Sequence, residues 1–229
     1  MALISLPAHE KASMKPTNTP IGARRTLYLA SQNEHKVTEF QAMLGSEWHV
    51  RSTAQLEDET GLEISWDETG DSFAANSRIK ALALRHLTPC AVLADDSGLV
   101  VDALNGAPGI FSSRYANSPE GTPRAAADAA NLIKLLADLN EVPEGQRSAR
   151  FVCCLVFLDE LGKETVVEGY CEGQIAKLPS GQHGFGYDSI FLVPSLNQTM
   201  AELSDAEKNR LSHRAAAVAK LMRNWGPFA

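Results

Sequence analysis

The chain has 229 residues, of which 44% are hydrophobic and 21% charged, with 16 Gly and 11 Pro. This is the composition of a folded globular chain, and it excludes collagen-like, coiled-coil and wholly disordered organisation. Lys and Arg number 21 against 28 Asp and Glu, a net charge of -7. General electrostatic attraction for nucleic acid or an anionic membrane is thereby excluded, and a polyanionic ligand needs a local basic pocket.

Residues 1–23, with Pro7, Pro16 and Pro20 and no sustained period, read as a flexible N-terminal extension outside the fold. The segment MALISLPAHE lacks the basic and apolar regions of a signal peptide, and no apolar run approaches the roughly 18 residues needed to cross a bilayer. Cys90, Cys153, Cys154 and Cys171 lack paired C-x-x-C spacing. A reduced, cytoplasmic chain without a zinc site is expected.

Residues 24–229 read as one domain, opening with a strand at Arg25–Ala30, then the polar run SQNEHK. A helix follows with Val37, Phe40, Met43 and Leu44 on one side and Gly45 at its end. A second helix is predicted from Asp71 or Ser72, with Ile79, Leu82, Ala83, His86 and Leu87 as its apolar stripe before Pro89. CAVLADDSGLVVDAL begins as a buried strand and delivers two aspartates and a glycine at its end. Thr122 as cap and Pro123 as first helical residue start a helix with Leu132, Leu135, Leu136 and Leu139 at helical spacing.

ARFVCCLVFLDE and KETVVEGYCEGQIA read as an antiparallel strand pair, with Cys153 and Cys154 on opposite faces. A single regular helix from Asp205 to Trp225 would send Lys208, His213 and Arg214 in divergent directions, since successive residues turn by about 100°. Ser204 with Glu207, and then Ser212, offer two N-caps. A short helix ending near Arg210 and another starting at Ser212 are therefore predicted. His213 and Arg214 then sit in an anion-favouring first turn, and Ala215, Val218, Met222 and Trp225 form the buried stripe. The class is α/β with a mixed sheet.

Four segments carry candidate chemistry. Adjacent carboxylates in Asp95-Asp96-Ser97-Gly98 suit Mg²⁺, which takes one or two protein carboxylates and completes its shell with water and phosphate oxygens; the alternative is a capped turn. Ser31-Gln32-Asn33-Glu34-His35-Lys36 joins strand to helix, where free N–H groups and a lysine suit phosphate; the alternative is a polar connection capped by Asn33. Gly181 to Asp188 packs glycines and aromatics into a loop that suits close approach and base stacking, or forms a plain glycine-rich turn. Lys208, Ser212, His213 and Arg214, like Lys80 and Arg114, are donors or else a solvated surface. Together these are the parts a nucleoside triphosphate hydrolase needs.

SQNEHK resembles the T/S-G-N-x-x-K loop of the inosine triphosphate pyrophosphatases, which clear damaged purine nucleotides. ETGDSFAANSRIKA, ADDSGLVVDALNGAPGIFSSRYA, GFGYDSIF and AELSDAEKNRLSHR resemble that family's remaining blocks in the same order, from about Thr26 to Leu221. The resemblance implies an elongated α/β domain of two lobes around a long mixed sheet, with the nucleotide in the cleft between them. It implies cleavage between the α and β phosphates of ITP, dITP or XTP, releasing monophosphate and pyrophosphate.

By the same matching, Asp96 is general base and Mg²⁺ ligand, Glu68 the second carboxylate, and Asp95 orients Asp96 or the water. Ser31 to Lys36 hold the triphosphate with Lys80 and Ser97, and Arg114 is a further candidate. Phe185, Gly186, Tyr187 and Asp188 match the base-binding loop, and Lys208, His213 and Arg214 match residues near the purine 6-position. Donors there accept a 6-oxo group and leave adenine's amino group unmatched.

The family's members are commonly homodimers. The chain departs from the pattern at Gln32 for glycine, Ser77 for alanine, Asn117 for glycine and Ser189 for proline. Two other readings compete. A Maf-like pyrophosphatase acting on pyrimidine or methylated nucleotides is opposed by the SHR and GFGYD blocks. A binding-only regulatory module is opposed by the presence of Asp96, Glu68 and Lys36.

Overall fold

The structure, a computed structural model, describes residues 24–225. The extension read over residues 1–23 and the side chain of Trp225 lie outside that description. Strand β1 (Arg25–Leu29) pairs in parallel with β2 (Trp48–Arg51) and with β3 (Ala91–Val101). From β3 onward every pairing is antiparallel, through β4 (Ser148–Leu158), β5 (Glu164–Ile175), β6 (Phe191–Val193) and β7 (Gln198–Thr199). The result is a seven-stranded mixed sheet in the order β2-β1-β3-β4-β5-β6-β7, the α/β class expected.

β1 reaches only as far as Leu93 on β3. β3 itself runs on through Asp95, Asp96, Ser97 and Gly98, paired with Leu155, Cys154, Cys153 and Val152 of β4. The aspartates therefore lie in the middle of a strand, not at its end in a turn. The continuous ladder to β4 overrides the turn preference of Asp-Ser-Gly, and the end of β1 leaves their other side free for a ligand.

Helices α1 (Glu34–Leu44), α2 (Thr53–Thr60), α3 (Phe73–Arg85), α4 (Arg124–Asp138), α5 (Asp205–Leu211) and α6 (His213–Trp225) cover the sheet. On one face Leu27, Leu93 and Leu155 pack against Phe40 of α1 and Val218 and Leu221 of α6. On the opposite face Val92, Ala94 and Val156 pack against Leu56 of α2 and Leu84 of α3. A third cluster, around Leu99, Phe151, Leu135, Leu139 and Phe191, fills the far end of the long strands. Each fully buried large side chain in these clusters contributes about 1.5–3 kcal/mol.

Two apolar stripes read from the sequence are displaced. In α3 the buried residues are Asn76, Ser77, Lys80, Ala81 and Leu84, whereas Leu82 is 43% exposed and His86 lies on the surface. The inward face of α3 is partly polar because it meets the aspartate-bearing stretch of β3, so hydrophobic periodicity points to a neighbouring face. In α6 the buried face is His213, Arg214, Ala217, Val218 and Leu221, with Met222 42% exposed. Its polar first turn is again what the apolar count missed.

α4 carries a smaller correction. Pro123 is its cap and not its first residue, while the Thr122 hydroxyl donates to Pro119 O at 2.6 Å. The break between α5 and α6 stands where Ser212 was read as a cap: Ser204 and Glu207 form a capping box on α5, and Ser212 Oγ accepts from Ala215 N. Among the described residues, no helix is long and apolar enough to cross a membrane, and the four cysteines are unpaired.

Candidate active site

A cleft of about 380 Å³ opens where β1 ends beside β3. It is lined by Ser31, Gln32, Asn33 and Lys36 from the β1–α1 loop, Glu68 and Lys80 around α3, and Asp95, Asp96 and Ser97 of β3. Phe185, Gly186, Tyr187 and Asp188 line it from the loop before β6, with Lys208, His213 and Arg214 from α5 and α6. Glu34 and His35 lie exposed in the first turn of α1 and Arg114 on the 3₁₀ turn Gly109–Arg114, none of them in the lining.

Strand periodicity separates the two aspartates. Asp96 faces α3, where its Oδ1 accepts from Lys80 Nζ at 2.8 Å and its Oδ2 from Asn76 Nδ2 at 3.4 Å. Lys80 Nζ also donates to Glu68 Oε1 at 2.9 Å, so two carboxylates converge on one ammonium. Burial lifts the Asp96 carboxyl above its ordinary value, Lys80 only partly offsets this, and Glu68 and Asp95 add to it. A raised carboxylate is a better proton acceptor. For Glu68, burial acts upward but is outweighed by Lys80 and Arg114, which hold it below the ordinary value.

Asp95 faces the other way, toward α1 and α6, and its hydrogen bonds go to groups other than Asp96. Its Oδ1 takes Lys36, while its Oδ2 accepts from Ser97 Oγ at 2.8 Å and Arg214 Nε at 3.2 Å. Burial would raise this carboxyl, yet Lys36, Arg214 and Lys80 outweigh burial and keep it well below the carboxylate range.

In the β1–α1 loop, Asn33 Oδ1 accepts from His35 N at 3.0 Å and Asn33 N donates to Ser31 Oγ at 3.1 Å. The helix-capping role considered for Asn33 is therefore present, and those two amides are engaged within the loop. Gln32 does not have the positive φ that a glycine there would serve. Asn117, standing where glycine is usual, does adopt φ 52°, a conformation Asn tolerates, and Ser77 donates to Ala94 O at 2.9 Å.

At the other end of the cleft, Lys208 Nζ donates to Asp188 Oδ2 at 2.7 Å, and that oxygen also accepts from Phe185 N at 3.2 Å. Gly184, at φ 83°, leaves room for this pair, because a Cβ there would strike both Asp188 and Lys208. The Arg214 guanidinium lies 5.7 Å from the Phe185 ring, and Tyr187 Oη donates across the cleft to Ser112 O at 2.9 Å. His213 stacks on Phe151 at 5.0 Å with its Nδ1 buried and unpartnered. Burial and the neighbouring Arg214 hold His213 neutral, well below its ordinary pKa. The site thus has a cation-and-carboxylate end and an aromatic-and-donor end.

Asn76 and Glu39 were not singled out from the sequence. Asn76 is fully buried and accepts from Gly70 N at 2.8 Å, tying the segment after Glu68 to Asp96. Its signal was the i, i+4 spacing to Lys80 on one helix face. Glu39, three residues beyond Lys36, accepts from Arg214 Nη1 at 3.3 Å.

The chain as a whole is similar to known proteins. The dITP/XTP pyrophosphatase of Shouchella clausii is 45% identical over 196 residues, 85% of this chain and 93% of that protein. The dITP/XTP pyrophosphatase of Pseudomonas aeruginosa is 44% identical over 202 residues, 87% and 96% of the two chains. Among solved structures, the Staphylococcus aureus Ham1 protein superposes with a TM-score of 0.75 at 37% identity, covering 88% of this chain and 98% of that one. A nucleoside-triphosphatase / dITP/XTP pyrophosphatase from Mycobacterium abscessus gives a TM-score of 0.67 at 37% identity, over 89% and 100%. The profile of the Ham1 family matches residues 27–224, and with these relatives it shows that the chain belongs to the Ham1 family.

Proposed function

We propose that the protein hydrolyses damaged purine nucleoside triphosphates (ITP, dITP and XTP) between the α and β phosphates, giving the monophosphate and pyrophosphate. The observation that carries this reading is one cleft joining the convergent Asp96 and Glu68 carboxylates to Lys36 and to the Phe185, Lys208, His213 and Arg214 end. The names of the relatives support it.

Asp96 and Glu68 fit Mg²⁺, because both are hard oxygen donors already directed at a shared cation, and two carboxylates are what that ion takes beside phosphates and water. Bound there, Mg²⁺ supplies charge neutralisation for the phosphates and acidifies water. Asp96 accepts the proton of the attacking water. Lys80 stays protonated, since Asp96, Asp95 and Glu68 outweigh the effect of its burial, and it provides positive charge beside the phosphates.

Ser31, Gln32, Asn33, Lys36 and Ser97 hold the triphosphate, while Phe185, Gly186, Tyr187 and Asp188 hold the base. Lys208, His213 and Arg214 read its 6-position, where a neutral His213 adds a donor or acceptor without charge. A substrate panel tests this. With Mg²⁺, kcat/KM for ITP and XTP should exceed that for ATP by at least about tenfold, and equal rates on all purines would sink the base reading.

The same reading places the protein in the cytoplasm as one two-lobed domain over residues 24–229 that acts as a homodimer. Among the described residues β6 pairs with β5 at Gln174 and Ile175 alone, and the part of β5 that carries the exposed Val166 and Tyr170 is the surface we assign to the dimer. A monomer at working concentration in sedimentation would refute the dimer.

A further inference from the structure

The two ends of the cleft meet at a single carboxylate that belongs to neither. Asp95 is 1% exposed, covered in the cleft wall by the groups it binds, and its two oxygens are divided between Lys36 of α1 on one side and Arg214 of α6 with Ser97 on the other. Lys36 remains open to the cleft, with 20% of its side chain exposed, whereas Arg214 is clamped between Asp95 and Glu39. Any shift of Arg214 toward a docked base moves the carboxylate that anchors Lys36, and any phosphate that draws Lys36 away leaves Arg214 as the main counter-charge.

We propose that Asp95 is a positioning residue that couples base selection to the grip on the triphosphate. The proposal rests on the assignment of the base and phosphate ends given above. Coupling of this kind is reciprocal: a change at either end must be felt at the other, and only while Asp95 is present.

The test uses Lys36→Met, Arg214→Ala and each combined with Asp95→Asn, measured with ITP, ATP and inorganic tripolyphosphate, a competitor that has no base. Lys36→Met removes a phosphate contact common to both nucleotides, so without coupling it lowers both kcat/KM values equally. The expected result is a change of at least about twofold in the ITP-to-ATP ratio. Arg214→Ala is expected to shift the tripolyphosphate Ki by at least about twofold, and both cross-effects are expected to vanish in the Asp95→Asn background.

Equal losses for ITP and ATP in Lys36→Met, an unchanged Ki in Arg214→Ala, or cross-effects that persist in the Asp95→Asn background would each overturn the coupling. If Asp95→Asn does not fold, the first two measurements still decide. A wild type indifferent to ITP and ATP would instead refute the base reading, and the coupling would then be judged on tripolyphosphate alone.

Discussion

Adjacent aspartates in a strand face opposite ways, and in β3 this gives Asp95 and Asp96 different electrostatic fates. Asp96 meets one lysine and a neutral amide and is raised, whereas Asp95 meets two cations on its own face and is lowered. Asp96→Asn removes charge and base together, and should lower kcat by at least about 10³-fold with an unchanged circular-dichroism spectrum. Near-normal turnover in that variant would remove Asp96 from the mechanism.

The buried groups also set how stability responds to acid. His213 titrates in the folded state well below its unfolded value of about 6.5, so the unfolded chain binds the extra proton first and stability falls as pH drops below about 6.5. Asp95 has a folded pKa below its unfolded value of about 3.9, so its contribution is complete above about pH 5 and is lost as pH falls through 4. Urea midpoints of wild type and His213→Gln should therefore converge between pH 7 and pH 5. A constant difference across that range would show that His213 is not held neutral.

At the scale of elements, α6 lies directly on β5, and a Cβ at Gly169 would strike His213 O and Ala217 N. Gly169→Ala must push the helix away, costing about 1–3 kcal/mol in stability and raising KM, because the same helix turn carries His213 and Arg214. A thermal midpoint and KM both equal to wild type would contradict this packing. β4 buries Cys153 and Cys154, with burial and nearby carboxylates pushing both thiols up to about 12. Neither should react with a thiol reagent at pH 8 in the native protein, and both should react in denaturant; native labelling of either would place it at the surface.

Elements whose pattern is local were legible in the sequence. The antiparallel pair β4–β5, the Gly45 end of α1 and the break at Ser212 follow from β-branched runs and capping residues, and the structure has each of them. Apolar spacing located the inward faces of α1 and α4, where Phe40, Leu44, Leu135 and the C-cap Leu139 are buried, and misplaced those of α3 and α6. α3 and the start of α6 bury polar residues that serve the cleft, so Asn76, Lys80 and Arg214 replaced apolar side chains on the inward faces. The partner of Asp95 was equally invisible, because Lys36 and Arg214 are brought together only by the tertiary fold.

For the whole molecule, the cleft gathers Lys36, Lys80, Lys208 and Arg214 but is not a net positive patch, because Asp95, Asp96, Glu68, Asp188 and Glu39 line it too and pair with them. A divalent cation held by Asp96 and Glu68 would add the positive charge that an anionic ligand needs in a chain of net charge -7. The cleft's position beyond the carboxyl end of β1 is where parallel strands leave room for a ligand. Removal of divalent metal with a chelator should abolish turnover and restoration of Mg²⁺ should recover it, while retained activity in chelator would remove Asp96 and Glu68 as a metal pair.

The most direct test of the central claim is the identity of the phosphorus products formed from ITP with Mg²⁺, with pyrophosphate quantified separately from orthophosphate. One pyrophosphate and one inosine monophosphate per ITP is the predicted result. Orthophosphate with inosine diphosphate would contradict it.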